Sequence, residues 1–116
     1  MKLYQIGTAY RSKEEMMRIE IYPRYAKGLD GIERLKKIYV LYWMHRLNEE
    51  DRKTLRAHPR GNKASPLTGV FALRSPMRPN PIGLTCVELV KRENNNLFVK
   101  GLDALDGSPV IDIKSG

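Results

Sequence analysis

Two guanidinium groups and one carboxamide stand on a stiff turn near the middle of this chain. They are Arg74, Arg78 and Asn80, within Phe71-Ala-Leu-Arg74-Ser75-Pro76-Met77-Arg78-Pro79-Asn80-Pro81-Ile82-Gly83-Leu84-Thr85. A guanidinium grips a carboxylate or phosphate through two parallel N–H donors. A carboxamide adds both a donor and an acceptor. Pro76, Pro79 and Pro81 fix φ at three positions, remove three backbone donors and push the residues before them toward extended conformations. The segment predicts neither helix nor central strand but a preorganised loop, which loses little entropy when an anion binds. The competing reading is a rigid loop whose arginines pair with nearby acids.

Three other groups have chemistry-bearing residues. Asp103 and Asp106 lie just before Gly107 and Pro109. Asp106-Gly107 is a turn signal, in which the aspartate bonds its own backbone; the two carboxylates suit equally a ribose or a cationic amine. Asp112, further on, is a salt-bridge candidate for an arginine of the proline loop. The second group is Arg52, Lys53, Arg56, Arg60 and Lys63, with His58 among them and no acid between. It reads as a phosphate-contacting arm or as a solvated charged loop. No aromatic interleaves these cations, so the segment offers no stacking platform for bases. The third is His45-Arg46, where the histidine either titrates near neutral pH or makes a single structural hydrogen bond. Neither His45 nor His58 has ligand partners at metal-binding spacing, and no metal is expected.

The elements that must position these groups read as strands. Leu3 to Tyr10, Met17 to Tyr22, Ile38 to Met44, Gly69 to Leu73, Ile82 to Lys91, Leu97 to Gly101 and Val110 to Ile113 are rich in apolar and β-branched residues. Ile38 to Met44 is apolar throughout, which predicts a strand covered on both faces, by the core or by a second subunit. Asn94-Asn95-Asn96 predicts a hairpin turn. Asn48 to Asp51 predicts a short helical turn, and Tyr25 to Leu35 a connector with at most one more. Short strands without a long amphipathic helix predict an all-β fold, a small closed or partly open barrel. No GxGxxG links a strand to a helix, so a dinucleotide-binding Rossmann unit is excluded.

At 116 residues the chain has the length of one domain, residues 1–116, with room for a real core. A formal charge of +8 and a pI of about 9.8 favour an anionic partner. The single cysteine, Cys86, sits in an apolar run and reads as a buried strand residue, so no intrachain disulfide is available. There is no signal-peptide pattern and no membrane-spanning run, and the expectation is a cytoplasmic protein without membrane partners.

Taken together, these motifs resemble the TsaA-like family of small β-barrel proteins. The resemblance runs from Ile6-Gly7 through Tyr25-Ala-x-Gly28-Leu29 and Ile38 to His45. It then takes in Gly69-Val-Phe-Ala-x-Arg74-Ser-Pro-x-Arg78-Pro-Asn-Pro-Ile-Gly83-Leu84 and Leu102-Asp103-x-Leu105-Asp106-Gly107-x-Pro109-Val-x-Asp112-Ile-Lys114. That family includes the bacterial tRNA methyltransferase acting on threonylcarbamoyl-adenosine at position 37. The resemblance implies a barrel that binds S-adenosylmethionine without a Rossmann fold, as a homodimer with cofactor near the subunit interface. It puts cofactor contacts on His45, Arg46, Arg74, Leu84, Asp103, Ala104, Leu105 and Asp106, with Arg78 and Asn80 shaping the same pocket. Arg52, Lys53, Arg56, Arg60 and Lys63 would then face tRNA. The catalytic residue stays unassigned, Asp112 being the one guess at a base. Two departures stand out: the cofactor-contacting segment after the first strand is shortened between Arg11 and Met17, and the chain stops two residues after Lys114, where the family continues with Pro-Tyr. A non-catalytic RNA-binding barrel and a methyltransferase acting on a small metabolite are the competing readings.

Overall fold

The computed structural model describes every residue from Met1 to Gly116. Its strands are β1 (Gly7–Arg11), β2 (Met16–Ile21), β3 (Lys37–Trp43), β4 (Arg56–Ala57), β5 (Thr68–Gly69), β6 (Ile82–Glu93), β7 (Asn96–Lys100) and β8 (Ser108–Ser115). Six of them close into a barrel in the order β1-β2-β7-β6-β3-β8, every pair antiparallel, while β4 and β5 form a separate two-stranded ladder. Closure leaves no unpaired edge among the six. The connectors contain only 3₁₀ turns, at Pro23–Leu29, Ile32–Arg34, Asp51–Lys53, Pro59–Gly61 and Val70–Ala72.

Period-two alternation builds the core. Met17, Ile19 and Ile21 of β2 point inward, and meet Ile38, Val40 and Tyr42 of β3, Val87 and Leu89 of β6, Leu97 and Val99 of β7 and Val110 of β8. The Asn94 turn joins β6 to β7 as expected, with Asn94 itself at a left-handed φ of 55°. The Asn48–Asp51 turn is closed reciprocally: the Asp51 N–H donates to Asn48 Oδ1 at 2.9 Å, and the Asn48 N–H to Asp51 Oδ2 at 3.0 Å.

Four readings of the sequence need correction. The first strand begins at Gly7 rather than Leu3; Met1 to Gln5 are exposed, and Ile6, half-buried, reaches the barrel through its N–H to the Val110 carbonyl at 2.9 Å. Gly69 to Leu73 is not a strand. Only Thr68–Gly69 pairs, and Val70–Ala72 curls into a 3₁₀ turn because the chain has left the barrel there and the Arg78 guanidinium gathers the Val70 and Leu73 carbonyls. Strand β3 is not covered on both faces within the chain: Tyr39 faces outward, 39 % exposed, between buried Ile38 and Val40. Cys86 is exposed rather than buried, since register sets it opposite Tyr39 on the outer face of β6.

Between β3 and β6 the chain makes a long excursion away from the barrel, the arm that carries β4 and β5. The Cα radius of gyration is 15.5 Å, against roughly 13 Å for a compact chain of this length. The surplus fits an arm that projects. Barrel stability rests on the inward side chains, so Ile19→Ala, at a fully buried position, is expected to cost about 2–5 kcal/mol. Urea unfolding followed by circular dichroism checks it, and a loss under about 1 kcal/mol would show a core able to collapse around the cavity.

Candidate functional site

Three segments distant in sequence meet at one end of the barrel: residues 42–46, the proline loop 74–84, and residues 103–106. Tyr42 makes the join. It pairs with Gly83 across the β3–β6 ladder, and its ring lies where a Cβ on residue 83 would fall. Glycine at 83 is therefore required by close approach of the ring. The Tyr42 hydroxyl donates to the Asp103 carbonyl and lies 3.3 Å from Thr85 Oγ1, so its buried polar end is satisfied. An irregularity in the β3–β8 ladder sits beside it, where Leu41 pairs with Asp112 and Tyr42 with Val110, leaving Ile111 as the extra residue. Such a bulge re-aims the strand at the rim of a barrel.

Hydrogen bonds hold the proline loop from four sides. The Met44 N–H donates to the Pro81 carbonyl at 2.8 Å. Arg52 lies over the Trp43 ring, 5.2 Å from its centroid, and donates from Nε to the Pro79 carbonyl at 2.8 Å. Arg78 donates from Nε to the Ser75 carbonyl at 2.8 Å and from Nη2 to the carbonyls of Val70 and of Leu73, the latter at 2.5 Å. Arg74 donates from Nη1 to the Leu84 carbonyl at 3.1 Å and keeps an exposed guanidinium. A charged donor on a carbonyl contributes about 1.5–3 kcal/mol, so a loop without its own ladder becomes rigid.

The expected site residues thus divide. His45, Arg46, Asn80, Asp103, Leu84 and Leu105 are exposed at this end of the barrel, and Leu84 and Leu105 present apolar surface, 41 % and 48 % exposed. Ala104 is half-buried against the core. Asp106 does not bond its own turn, which Ser108 closes onto the Leu105 carbonyl; its Oδ1 accepts from the Arg11 N–H of β1 at 2.7 Å, and the Gly107 N–H that follows donates to the Ala9 carbonyl. Arg78 is occupied inside the loop. On the arm, Arg52 turns inward and Lys53 pairs with Glu50 at 3.0 Å, whereas Arg56, Arg60 and Lys63 are exposed and unpaired. Asp112 pairs with Lys114 at 3.3 Å and not with an arginine of the proline loop.

An open cleft of about 1030 Å³ joins the arm to the proline loop, with His58, Arg60, Phe71, Arg74 and Ser75 along it. A second cavity, about 560 Å³ and more apolar, lies at the opposite barrel end between the 3₁₀ turns and β8, and holds none of the expected site residues except Asp112. No three His, Cys, Asp or Glu side chains gather as a metal site. Sequence reasoning missed Tyr42 and Trp43 as organisers of the site. Gly83 inside a strand was the available signal, since such a glycine marks close approach without saying what approaches.

If Tyr42 sets the geometry, Gly83→Ala should destabilise the barrel by about 1–3 kcal/mol through overpacking. Tyr42→Phe should cost about 1–3 kcal/mol by leaving the Asp103 carbonyl unpaired. Denaturant melts give the energies. Amide exchange at Leu105 to Gly107 should accelerate in Tyr42→Phe; unchanged exchange there would dissociate Tyr42 from the 103–106 segment.

Comparison with known proteins bears on this arrangement. Residues 7–115 match the family described as tRNA-methyltransferase O N-terminal domain. An S-adenosyl-L-methionine-binding protein of Archaeoglobus fulgidus is 51 % identical over 104 residues, covering 90 % of this chain and 71 % of that protein. The mouse tRNA (adenine(37)-N6)-methyltransferase is 39 % identical over 98 residues, covering 84 % of this chain and 22 % of that one. The crystal structure of TrmO from Pseudomonas aeruginosa superposes with a TM-score of 0.73 at 26 % identity, over the whole of this chain and 55 % of that one. The chain therefore spans about half the length of the solved TrmO chains, and 27 % of a longer Archaeoglobus relative. No helix is long and apolar enough to cross a membrane. With a closed six-stranded barrel, a proline loop clamped to its rim and a match over nearly its full length, this chain belongs to the tRNA-methyltransferase O N-terminal domain family.

Proposed function

We propose that this protein is an S-adenosylmethionine-dependent methyltransferase whose cofactor lies at the rim where residues 42–46, 74–84 and 103–106 converge. The observation that carries the proposal is the Tyr42 joint, which brings an exposed guanidinium, an exposed carboxylate and exposed apolar side chains to one end of the barrel. This donor set fits the cofactor. Arg74 is placed to receive a carboxylate in two-pronged fashion. Asp103, whose side chain has no partner within the chain, suits an ammonium or a ribose diol. Leu84 and Leu105 offer apolar surface to a purine. The relatives, named as S-adenosyl-L-methionine-binding proteins and as a tRNA (adenine(37)-N6)-methyltransferase, support the same reading.

When bound, S-adenosylmethionine supplies an electrophilic methyl on a positively charged sulfur. In a transfer the acceptor nitrogen would take that methyl as the carbon–sulfur bond broke, the electron pair staying on sulfur and the proton of the nitrogen passing to water. Such a displacement needs alignment above all, and the stapled proline loop is suited to hold reactants in line. The acceptor we assign is N6 of threonylcarbamoyl-adenosine at tRNA position 37, which fits a cytoplasmic enzyme. From Arg52 through Val87 the chain has seven Lys/Arg and no acid, a field that attracts RNA. A homodimer is part of this reading. Tyr39, Leu84 and Cys86 line one outward sheet face, and Leu55 is exposed on the projecting arm, apolar surface that a second copy would cover.

Calorimetric titration with S-adenosylmethionine should give a single-site isotherm, and Arg74→Ala should weaken it at least about tenfold, or 1.4 kcal/mol, with an unchanged circular dichroism spectrum. An absent isotherm for the wild-type protein would refute the cofactor assignment. Incubation with labelled cofactor and tRNA from cells lacking this protein should transfer methyl to one modified adenosine, identified by nucleoside mass analysis. Cofactor binding without transfer to tRNA would point to a small-metabolite acceptor. Light scattering should report twice the 13.4 kDa chain mass; a monomer at working concentration would remove the dimer.

A further inference from the structure

We propose that Phe71 is a stacking platform for an unpaired nucleobase of the RNA substrate, in a cleft whose cationic rim holds the flanking phosphates. The inference rests on RNA being the acceptor. The basic segment Arg52 to Lys63 has no aromatic residue, but the fold brings one to it: Phe71, with His58 and Arg60, lines the cleft between the arm and the proline loop. Its ring is 82 % exposed, and its backbone is pinned. The Val70 N–H donates to the Leu55 carbonyl at 2.9 Å, the Leu73 N–H closes the turn onto the Val70 carbonyl at 3.1 Å, and Arg78 holds both the Val70 and Leu73 carbonyls. Val70 is fully buried beneath it. The ring is thus presented to solvent from a backbone that is already fixed, so binding orders only its two side-chain torsions.

The chemistry around the ring selects a nucleotide. The cleft has no acid; Arg60, at a left-handed φ of 54°, stands in it with an exposed guanidinium for a phosphate, and Arg74, the group assigned to the cofactor carboxylate, adds positive field at its far side. An apolar protein segment would find few partners there, since Phe71, Ala72 and Leu73 are its only apolar residues among the prolines and polar groups. A base has a π-face for Phe71, and its phosphates have cations to neutralise. His58 Nδ1 lies 3.0 Å from the Ser65 carbonyl, so Nδ1 is the protonated nitrogen. In the neutral ring Nε2 is then an acceptor, suited to an exocyclic amino group.

The experiment uses the full chain with a fluorescently labelled anticodon stem–loop RNA, with Phe71→Ala, Phe71→Leu and Phe71→Trp measured beside wild type. Phe71→Ala should raise the RNA Kd by about 5- to 150-fold, the range for losing one stacked base. Phe71→Leu should remain weak although apolar, and Phe71→Trp should restore wild-type binding. The slope of log Kd against log salt should stay unchanged in Phe71→Ala and fall in Arg60→Ala. Three results overturn the assignment: wild-type RNA affinity that all three variants keep, a loss that follows S-adenosylmethionine affinity rather than RNA affinity, or conversion of Phe71→Ala to a different oligomeric state by light scattering. The first leaves RNA as the acceptor and removes only the platform. A wild-type protein that binds the cofactor but not RNA removes both.

Discussion

The seating of Tyr42 against Gly83 is the constraint on which the rest of this molecule depends. A tyrosine pointing into a small barrel must bury its ring and still satisfy its hydroxyl. Here the ring takes the space that a side chain on residue 83 would need, and the hydroxyl reaches the carbonyl of Asp103 on the chain entering β8. One side chain thereby ties the ends of β3, β6 and β8 together. Everything attached to those ends inherits its position: His45-Arg46 directly after β3, the proline loop directly before β6, and Asp103 to Asp106 before β8. The site is a property of strand register first and of its own side chains second.

The arginines around that joint do two kinds of work. Arg78 and Arg52 donate to main-chain carbonyls and hold the proline loop in shape, while Arg74, Arg60 and Arg56 remain open to solvent. A carbonyl satisfies a guanidinium's donors without cancelling its charge. The structural arginines therefore still add to the positive field of the arm. Only Arg52 is partly offset, by Glu49 at 3.2 Å on the exposed side. Rigidity and positive potential come from the same residues.

Much of this could be read before the fold was known. Alternation in Met17 to Tyr22 and in the Val110 segment announced half-buried strands, and the Asn94 triplet announced a hairpin, because period and turn chemistry are local properties. The proline loop was legible for the same reason, since three fixed φ values depend on no neighbour. Errors arose where a neighbour decides. Gly69 to Leu73 has the residues of a strand, but beyond Gly69 no partner strand lies beside it, so Val70 to Ala72 curls around Arg78. Cys86 lies in an apolar run, yet the register of β6 turns it outward against Tyr39.

By itself, the sequence determined the all-β class, the stiffness of the proline loop, the excess of positive charge and the list of residues able to hold anions, because all of these follow from residue type and short-range spacing. Tertiary structure alone decided which arginines are free, that Asp106 bonds β1, that Asp112 pairs with Lys114, and that Phe71 joins a basic cleft whose own segment lacks an aromatic ring. Those are outcomes of competition between partners brought together by barrel closure, and nothing local ranks a carbonyl 27 residues away from Arg52 above an anion in solution.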